Sequence, residues 1–331
     1  MKKSTVAAIA AASLLGFGAV GSAMADVEIS GFADIQYNAI STVGDGFSAD
    51  GQSGNFRGSG EIDIIQKGDG PTFRADLDLL DALNTSPQVD IPTGTFGLGV
   101  DIEQLYVNVP VMDMASVKAG VMDSPFGFEG QDATDINFAA NGLLWLWVPS
   151  VIVGGMVNVE PTDMLSVNLG YINSRADATG IVSDNANDFV VTVGVTPMEG
   201  IGVNLGYITD NGKTGGTKSA VGDQFDINVT VDMVENLSVS ADYMSGDPAT
   251  GTGNFDNGYG LYASYTMMDI TAAVRYEAAT FEGTGPDTTA TSGSVSYPLA
   301  DMTVVRFDWT NVDVDKGASA DIGTIQLVHS F

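Results

Sequence analysis

The sequence contains no cysteine and only one histidine among its 331 residues. The lack of cysteine excludes disulfide frameworks, thiolate zinc sites and cysteine nucleophiles. Barrel hydrolases use a histidine general base beside a serine or carboxylate. Here the histidine, His329, lies on the apolar face of the last strand-like segment, next to Leu327 and Phe331. We therefore expect it to be an interfacial residue and predict that the chain is not an enzyme.

Positive charge is also scarce, with 12 lysines and arginines against 42 acidic residues and a net charge of −30. Nucleic-acid binding requires basic patches and is therefore excluded as a function. The acidic excess favours divalent cations as balancing charge. Acid-rich loops such as 184–188 (DNAND) are candidate Ca²⁺ sites, although their spacing matches no recognised calcium loop and solvated turns are the simpler interpretation. No other cofactor is expected.

Long apolar runs are absent after residue 25. The longest candidate, 143–153, is short and contains Pro149 and Ser150, whereas a membrane helix needs about 20 apolar residues. A helical membrane protein is therefore excluded, yet 44% of the residues are hydrophobic and only 16% are charged. Hydrophobicity spread over short alternating segments is what a transmembrane β-barrel requires.

The two ends of the chain indicate export. Residues 1–25 combine a charged start, a short apolar core and a small-residue cleavage site, as a secretory signal peptide does. The remaining domain, residues 26–331, ends on an alternating strand that stops at Phe331, an ending typical of Gram-negative outer-membrane barrels. We expect the protein to cross the periplasm and to reside in the bacterial outer membrane.

Period-two alternation runs through the chain after residue 25 and predicts an all-β, antiparallel up-and-down barrel. Similar segments begin at 165 (LSVNLGY), 201 (IGVNLGY) and 237 (LSVSADY), and each unit holds two strands. A propeller blade would hold four strands, and the nonapeptide repeat of calcium-binding solenoids is missing. Aromatic residues at one common height favour a membrane barrel over a soluble sandwich. We predict about 16 strands (14–18), centred near residues 34, 61, 76, 104, 118, 155, 168, 192, 205, 228, 240, 262, 274, 294, 306 and 326.

Two strands are less clearly marked than the rest. In the fourth, Asp101 and Glu103 change face relative to Leu105 unless a bulge intervenes. The sixth contains or follows Pro149. An even strand number would leave both termini on the periplasmic side, and sixteen strands are enough to enclose a water-filled lumen.

Short turns alternate with long polar connections, which is the asymmetry of outer-membrane barrels. The longest connection is the third outer loop, about residues 123–150. We expect it either to fold inward against a basic wall, where it would narrow a pore and impose a transverse field, or to cover the outside of the barrel. The candidate constriction residues on this loop are Asp123, Glu129, Asp132 and Asp135.

Charged residues of the strands fall on the polar face by the alternation of their neighbours. A cation facing lipid at mid-depth would cost about 2 to 4 kcal/mol, so this face must be the lumen. The candidate pore-lining residues are the cations Arg57, Lys67, Arg74, Lys118, Arg275 and Arg306 and the acids Asp34, Glu61, Asp63, Asp76 and Asp78.

The segments 102–107 (IEQLYV) and 117–129 (VKAGVMDSPFGFE) resemble the OmpL-like β-barrel porin family of the outer membrane. The distinctive motif covers some thirty residues, while the leader, the hairpins and the terminal phenylalanine fit the family along the whole chain. The resemblance implies a pore for small hydrophilic solutes, but it implies no substrate-contact residues.

We therefore expect a porin for passive diffusion of small hydrophilic solutes and ions, with a preference for cations because the lumen is acidic. The alternative is a structural or adhesive barrel whose loops close the lumen. The expected partners are outer-membrane lipid, lipopolysaccharide and the diffusing solutes. By analogy with sixteen-stranded porins, we also expect the chain to form a homotrimer.

Overall fold

The structure is a computed structural model that describes residues 26–43, 51–68, 70–80, 99–173, 187–211, 222–247, 254–283, 285–315 and 317–331. The predicted signal peptide and residues 184–186 of the candidate calcium loop lie outside these ranges. No helix in the described part of the chain is long and apolar enough to cross a membrane.

Sixteen antiparallel strands form one closed barrel in which every strand pairs with its neighbours in sequence and β1 pairs with β16. The predicted fold class and strand number are confirmed, and all sixteen predicted centres fall within the observed strands. The strands are β1 (Asp26–Val43), β2 (Gly51–Lys67), β3 (Thr72–Leu80), β4 (Gly99–Met112), β5 (Ala115–Asp123), β6 (Val151–Thr162), β7 (Leu165–Asn173), β8 (Asn187–Met198), β9 (Ile201–Ile208), β10 (Asp223–Val234), β11 (Leu237–Asp247), β12 (Phe255–Met267), β13 (Ile270–Phe281), β14 (Thr288–Ala300), β15 (Thr303–Val314) and β16 (Ser319–Ser330).

Alternation along each strand separates an outward apolar face from an inward polar face. In β16, for example, Gln326 is fully buried inside the barrel, whereas the neighbouring Ile325 is 49% exposed on the outside. His329 lies on the outward side near the end of the same strand and shares a hydrogen bond of 2.8 Å with the hydroxyl of Thr303. An apolar outer surface is stable only in lipid, so the fold is that of a membrane barrel.

Aromatic side chains form a row on the outer face, as the sequence predicts. Tyr171 packs against Phe189 with ring centroids 5.0 Å apart, and Tyr243 lies directly opposite Tyr259 on the next strand. These rings are between 43% and 54% exposed. Rings at one height with partly exposed faces fit the interfacial girdle of a membrane barrel.

The turns that follow β4, β6, β8, β10, β12 and β14 are each two residues long, which confirms the predicted short connections. Several of them contain residues with positive φ, such as Asn236 (64°) and Met302 (59°). Positive φ at these positions gives the turn a twist that matches the flanking strands. The chain thus reverses tightly at one end of the barrel.

The predicted irregularity in the fourth strand is a β-bulge. Opposite β3, Asp76 pairs with Gln104 and the next residue, Leu77, pairs with Ile102, so Glu103 is the extra residue. Glu103 and Gln104 are both buried, at 6% and 4% exposure, while the outward side chains resume at Leu105. The bulge therefore directs two consecutive polar side chains inward, which strict alternation does not allow.

Gly120 in β5 occupies a position where a side chain would clash with the neighbouring strand. Its φ is +140°, and a Cβ atom added there would lie 2.1 Å from the carbonyl oxygen of Leu105. Gly155 in β6, by contrast, has open space where a Cβ would be. The β4–β5 pairing therefore depends on the absence of a side chain at position 120.

We predict that Gly120→Ala lowers the free energy of unfolding by about 1 to 3 kcal/mol, because a side chain at this φ clashes with a backbone oxygen. Gly155→Ala is the matched control and should leave stability nearly unchanged. Urea unfolding of both refolded variants measures the difference. Equal stability of the two would contradict the prediction.

Candidate functional site

The third outer loop, residues 124–150, lies inside the barrel and is called the inner loop below. Arg306 on β15 donates hydrogen bonds from its guanidinium to the carbonyl oxygens of Phe138 (2.6 Å) and Ile136 (2.9 Å). On the same part of the wall, the Ala139 amide donates to Asp308 (3.2 Å) and the Ala139 carbonyl accepts from Gln36 (3.0 Å). The loop backbone is therefore attached to β1 and β15 across the lumen from its origin on β5 and β6.

A buried ion pair makes the second attachment. A guanidinium nitrogen of Arg275 on β13 lies 2.5 Å from Glu129 of the inner loop, and the two side chains are 3% and 7% exposed. The same guanidinium lies over the ring of Phe138 at 4.3 Å and 3.4 Å from the carboxylate of Glu277. A charge pair that is this deeply buried ties the middle of the loop to one place on the wall.

Glu277 on β13 holds the final part of the inner loop. Its two oxygens accept the backbone N–H groups of Leu143 (2.7 Å) and Leu144 (3.2 Å), at the start of a 3₁₀ helix (Leu144–Trp147). Tyr262 adds a third hydrogen bond to this carboxylate at 3.1 Å. A carboxylate at the start of a helix satisfies amides that have no partner within it.

An apolar cluster inside the barrel completes the attachment. Trp147 of the inner loop stacks on Phe255 with centroids 5.4 Å apart and meets Phe281 edge-on at the same distance. These contacts remove loop side chains from water, which strengthens the attachment beyond the polar contacts. The cluster consists of Met122, Phe126, Leu144, Ile152, Met156, Ile172, Val190, Ile208, Met244, Phe255 and Ala279.

Two of the three acidic groups of the inner loop, Glu129 and Asp132, have a pKa raised by burial but different charged neighbours. Burial raises the pKa of the Glu129 carboxyl above its ordinary value, and the attraction of Arg275 opposes that rise. It also raises the pKa of Asp132, where Asp135 and Asp63 add repulsion and interactions with Glu61 and Arg74 oppose it. Glu129 thus has a cation beside it, whereas Asp132 stands mainly among other acids.

The wall that Asp132 faces includes a group of five acidic side chains on β2, β3 and β4. We call it the acidic wall. Arg74 forms ion pairs with two of these acids, since its guanidinium lies 2.7 Å from Asp76 and 3.3 Å from Asp63. Gln104 also donates to Asp76, at 2.5 Å. The members of the acidic wall are Glu61, Asp63, Asp76, Asp78 and Glu103.

The remaining candidate cations are dispersed. Lys118 lies over the ring of Tyr106 at 4.5 Å, and Arg57 is exposed at a position opposite Gln36. Lys67 pairs with Glu28 near one end of the barrel, where both side chains are more than half exposed. These three side chains therefore remain more accessible to water than Arg275.

The remaining candidate acids have different surroundings. Asp34 is 4% exposed and accepts a hydrogen bond from Gln36 at 2.7 Å. Asp123, at the end of β5, and Asp135, in the inner loop, are both exposed.

The arrangement differs from the expected acidic loop facing a basic wall. Among the described residues of the loop, Glu129 forms a direct ion pair with Arg275 rather than facing it across a gap. Asp132 instead stands beside the acidic wall. The reason is that Arg275 and Arg306 bind the loop itself and so leave its free side facing acids.

Several residues that build this site are missing from the predicted pore-lining and constriction residues. Gln36, Gln104, Tyr262 and Glu277 all contact the inner loop or the acidic wall. Their inward position follows from alternation, which was the available signal. Their partners lie up to 134 residues away along the chain, so the contacts themselves could not be deduced.

Comparisons with known proteins agree with this architecture. The Pseudomonas putida OprB structure at high pH is 12% identical and matches with a TM-score of 0.67 over 92% of this chain and 94% of that one. A triple mutant of the Rhodopseudomonas blastica porin is 14% identical, with a TM-score of 0.59 over 92% of this chain and all of that one. No curated protein sequence matches significantly.

The fold is thus that of a sixteen-stranded porin-like barrel. The family model described as "Putative beta-barrel porin-2, OmpL-like" matches residues 29–309. The chain belongs to this family, as the motif in β4 and β5 predicted.

We predict that Arg275→Met destabilises the barrel by about 3 kcal/mol, because it leaves Glu129 and Glu277 buried without their cation. Lys67→Met, which removes an exposed ion pair, should cost less than about 1 kcal/mol. Urea unfolding monitored by tryptophan fluorescence measures both, and Trp147 in the inner loop should report release of the loop. Equal losses in the two variants would contradict the assigned role of Arg275.

Proposed function

We propose that the protein is an outer-membrane porin for passive diffusion of small hydrophilic solutes and ions. The observation that carries this proposal is the position of the inner loop, which is attached to β1, β13 and β15 and faces the acidic wall. The passage would then run between the loop and strands β2 to β5. Family membership and the porin-like fold support the same function.

The proposed passage favours cations. Arg275 pairs with Glu129 of the inner loop and Arg306 binds carbonyl oxygens of the same loop. Both cations therefore contribute little to the electric field in the passage. Arg57, Arg74 and Lys118 remain on the β2–β5 side, against the five acids of the acidic wall together with Asp132. Charges of one sign in a narrow, low-dielectric cleft raise the local concentration of the opposite ion.

The same proposal includes the surroundings of the barrel. The apolar outer face and its aromatic row would contact outer-membrane lipid and, on the outer leaflet, lipopolysaccharide. A homotrimer is part of the proposal by analogy with other porins. Cross-linking and native mass spectrometry of the detergent-extracted protein would show three copies. A monomer would refute the homotrimer and leave the rest of the proposed function unchanged.

The first experiment is single-channel recording of the refolded mature protein in a planar bilayer. We predict stable conductance steps with a reversal potential in a KCl gradient that indicates cation preference. Heat-modifiable migration on gels serves as the control for folding. Folded protein that produces no steps would refute the porin and favour a structural or adhesive barrel.

Two substitutions on the acidic wall should shift selectivity in opposite directions. We predict that Asp63→Asn lowers and Arg74→Gln raises the cation-to-anion permeability ratio by about two- to threefold, since the potential in such a cleft is a few kT. Glu235→Gln, in the exposed β10–β11 turn, is the matched control and should change nothing. If all three variants match the wild type, the passage does not run along this wall.

A further inference from the structure

Two groups of carboxylates meet on the acidic wall and share Glu61. Oxygens of Glu61, Asp78 and Glu103 lie within 4.8 Å of one another, as do oxygens of Glu61, Asp63 and Asp76. The second group has Arg74 beside it. The first group differs, because the charged groups that act most strongly on its three members are Asp63, Asp101, Asp123 and Asp132, all of which are acidic.

Burial makes this accumulation of negative charge costly. Glu61 is 1% exposed, and no described residue other than neighbouring carboxyl groups lies within hydrogen-bond reach of its Oε2 atom. Glu103, which the bulge in β4 directs inward, is 6% exposed. A buried carboxylate oxygen without a donor loses its hydration without compensation, unless a proton or a cation replaces the water.

The sequence places no basic residue in the two connections that adjoin these strands. Segments 44–50 and 81–98, which connect β1 to β2 and β3 to β4, contain no lysine or arginine in their sequence. A cation from solution can supply this compensation. The geometry is suitable, because oxygens on opposite sides of a Ca²⁺ ion, at 2.3 to 2.6 Å from it, lie about 5 Å apart.

We propose that Glu61, Asp78 and Glu103 of the acidic wall, together with Asp132 of the inner loop, bind one Ca²⁺ ion in the lumen. Three or four carboxylates from the protein suit Ca²⁺, whereas Mg²⁺ usually keeps several waters and takes one or two carboxylates. The ion joins β2, β3 and β4 to the free side of the inner loop, opposite the attachments made by Arg275 and Arg306. It is distinct from the predicted calcium sites in the outer loops.

The test is isothermal titration calorimetry of CaCl₂ into the refolded, chelator-treated mature protein. We expect one saturable site, with affinity reduced more than about tenfold by Glu61→Gln, as loss of metal-site residues typically does. Asp242→Asn is the matched control, since it also removes a buried inward acid but lies on β11, outside the group. It should bind Ca²⁺ as the wild type does.

A second variant guards against misfolding of Glu61→Gln. Asp132→Asn changes only the inner loop and should weaken Ca²⁺ binding while the barrel keeps its heat-modifiable migration. Absence of a saturable site in the wild type, or equal binding by wild type and both variants, would overturn the proposal. Because binding is measured without conductance, a barrel that binds Ca²⁺ but does not conduct would refute the porin and leave the site.

Discussion

The structure depends on closure of the sheet between β1 and β16. The two strands pair over twelve positions, from Phe32 opposite Ser330 to Val43 opposite Ser319. In a bilayer each unpaired backbone amide or carbonyl costs several kcal/mol, and a sheet has no unpaired edge only if it closes. Closure therefore restricts the residue types along each strand. One face must be apolar to contact lipid, and the other must be compatible with the groups that fill the interior.

In the described part of the chain, the interior is filled on the side of β6 to β13 and β15. The inner loop supplies an apolar segment that packs on inward residues of β6 to β13, and it supplies backbone carbonyls that bind Arg306. Both kinds of contact need a wall that is already closed, because the loop starts on β5 and reaches strands that follow it by more than 100 residues. The loop therefore contacts the far wall of the barrel, and the wall residues that bind it are not free to contact solutes.

How much the sequence predicts varies with the range of the interaction. Strand positions and facing are local, so alternation around Phe189 or Arg275 was sufficient to place those residues. The bulge at Glu103 was visible as a break in alternation, although its direction needed the partner strand β3. The contacts of Glu129 and Glu277 were not predictable, because nothing in either segment specifies a partner over 130 residues away. For the same reason, the sequence did not reveal that two cations of the expected basic wall, Arg275 and Arg306, bind the inner loop itself.

This division of charge explains why a chain with a net charge of −30 concentrates acids in its lumen. An arginine that binds a buried carboxylate and several carbonyls is neutralised locally and no longer screens acids elsewhere. Arg275 and Arg306 bind the inner loop, and among the described residues Arg74 is the cation that pairs directly with the acids on β2 and β3. Such a lumen is stable where water and cations reach it, and a dry interior with the same residues would be disfavoured by the desolvation of each carboxylate. The arginines that attach the loop on one side are therefore not available to offset the acids on the other.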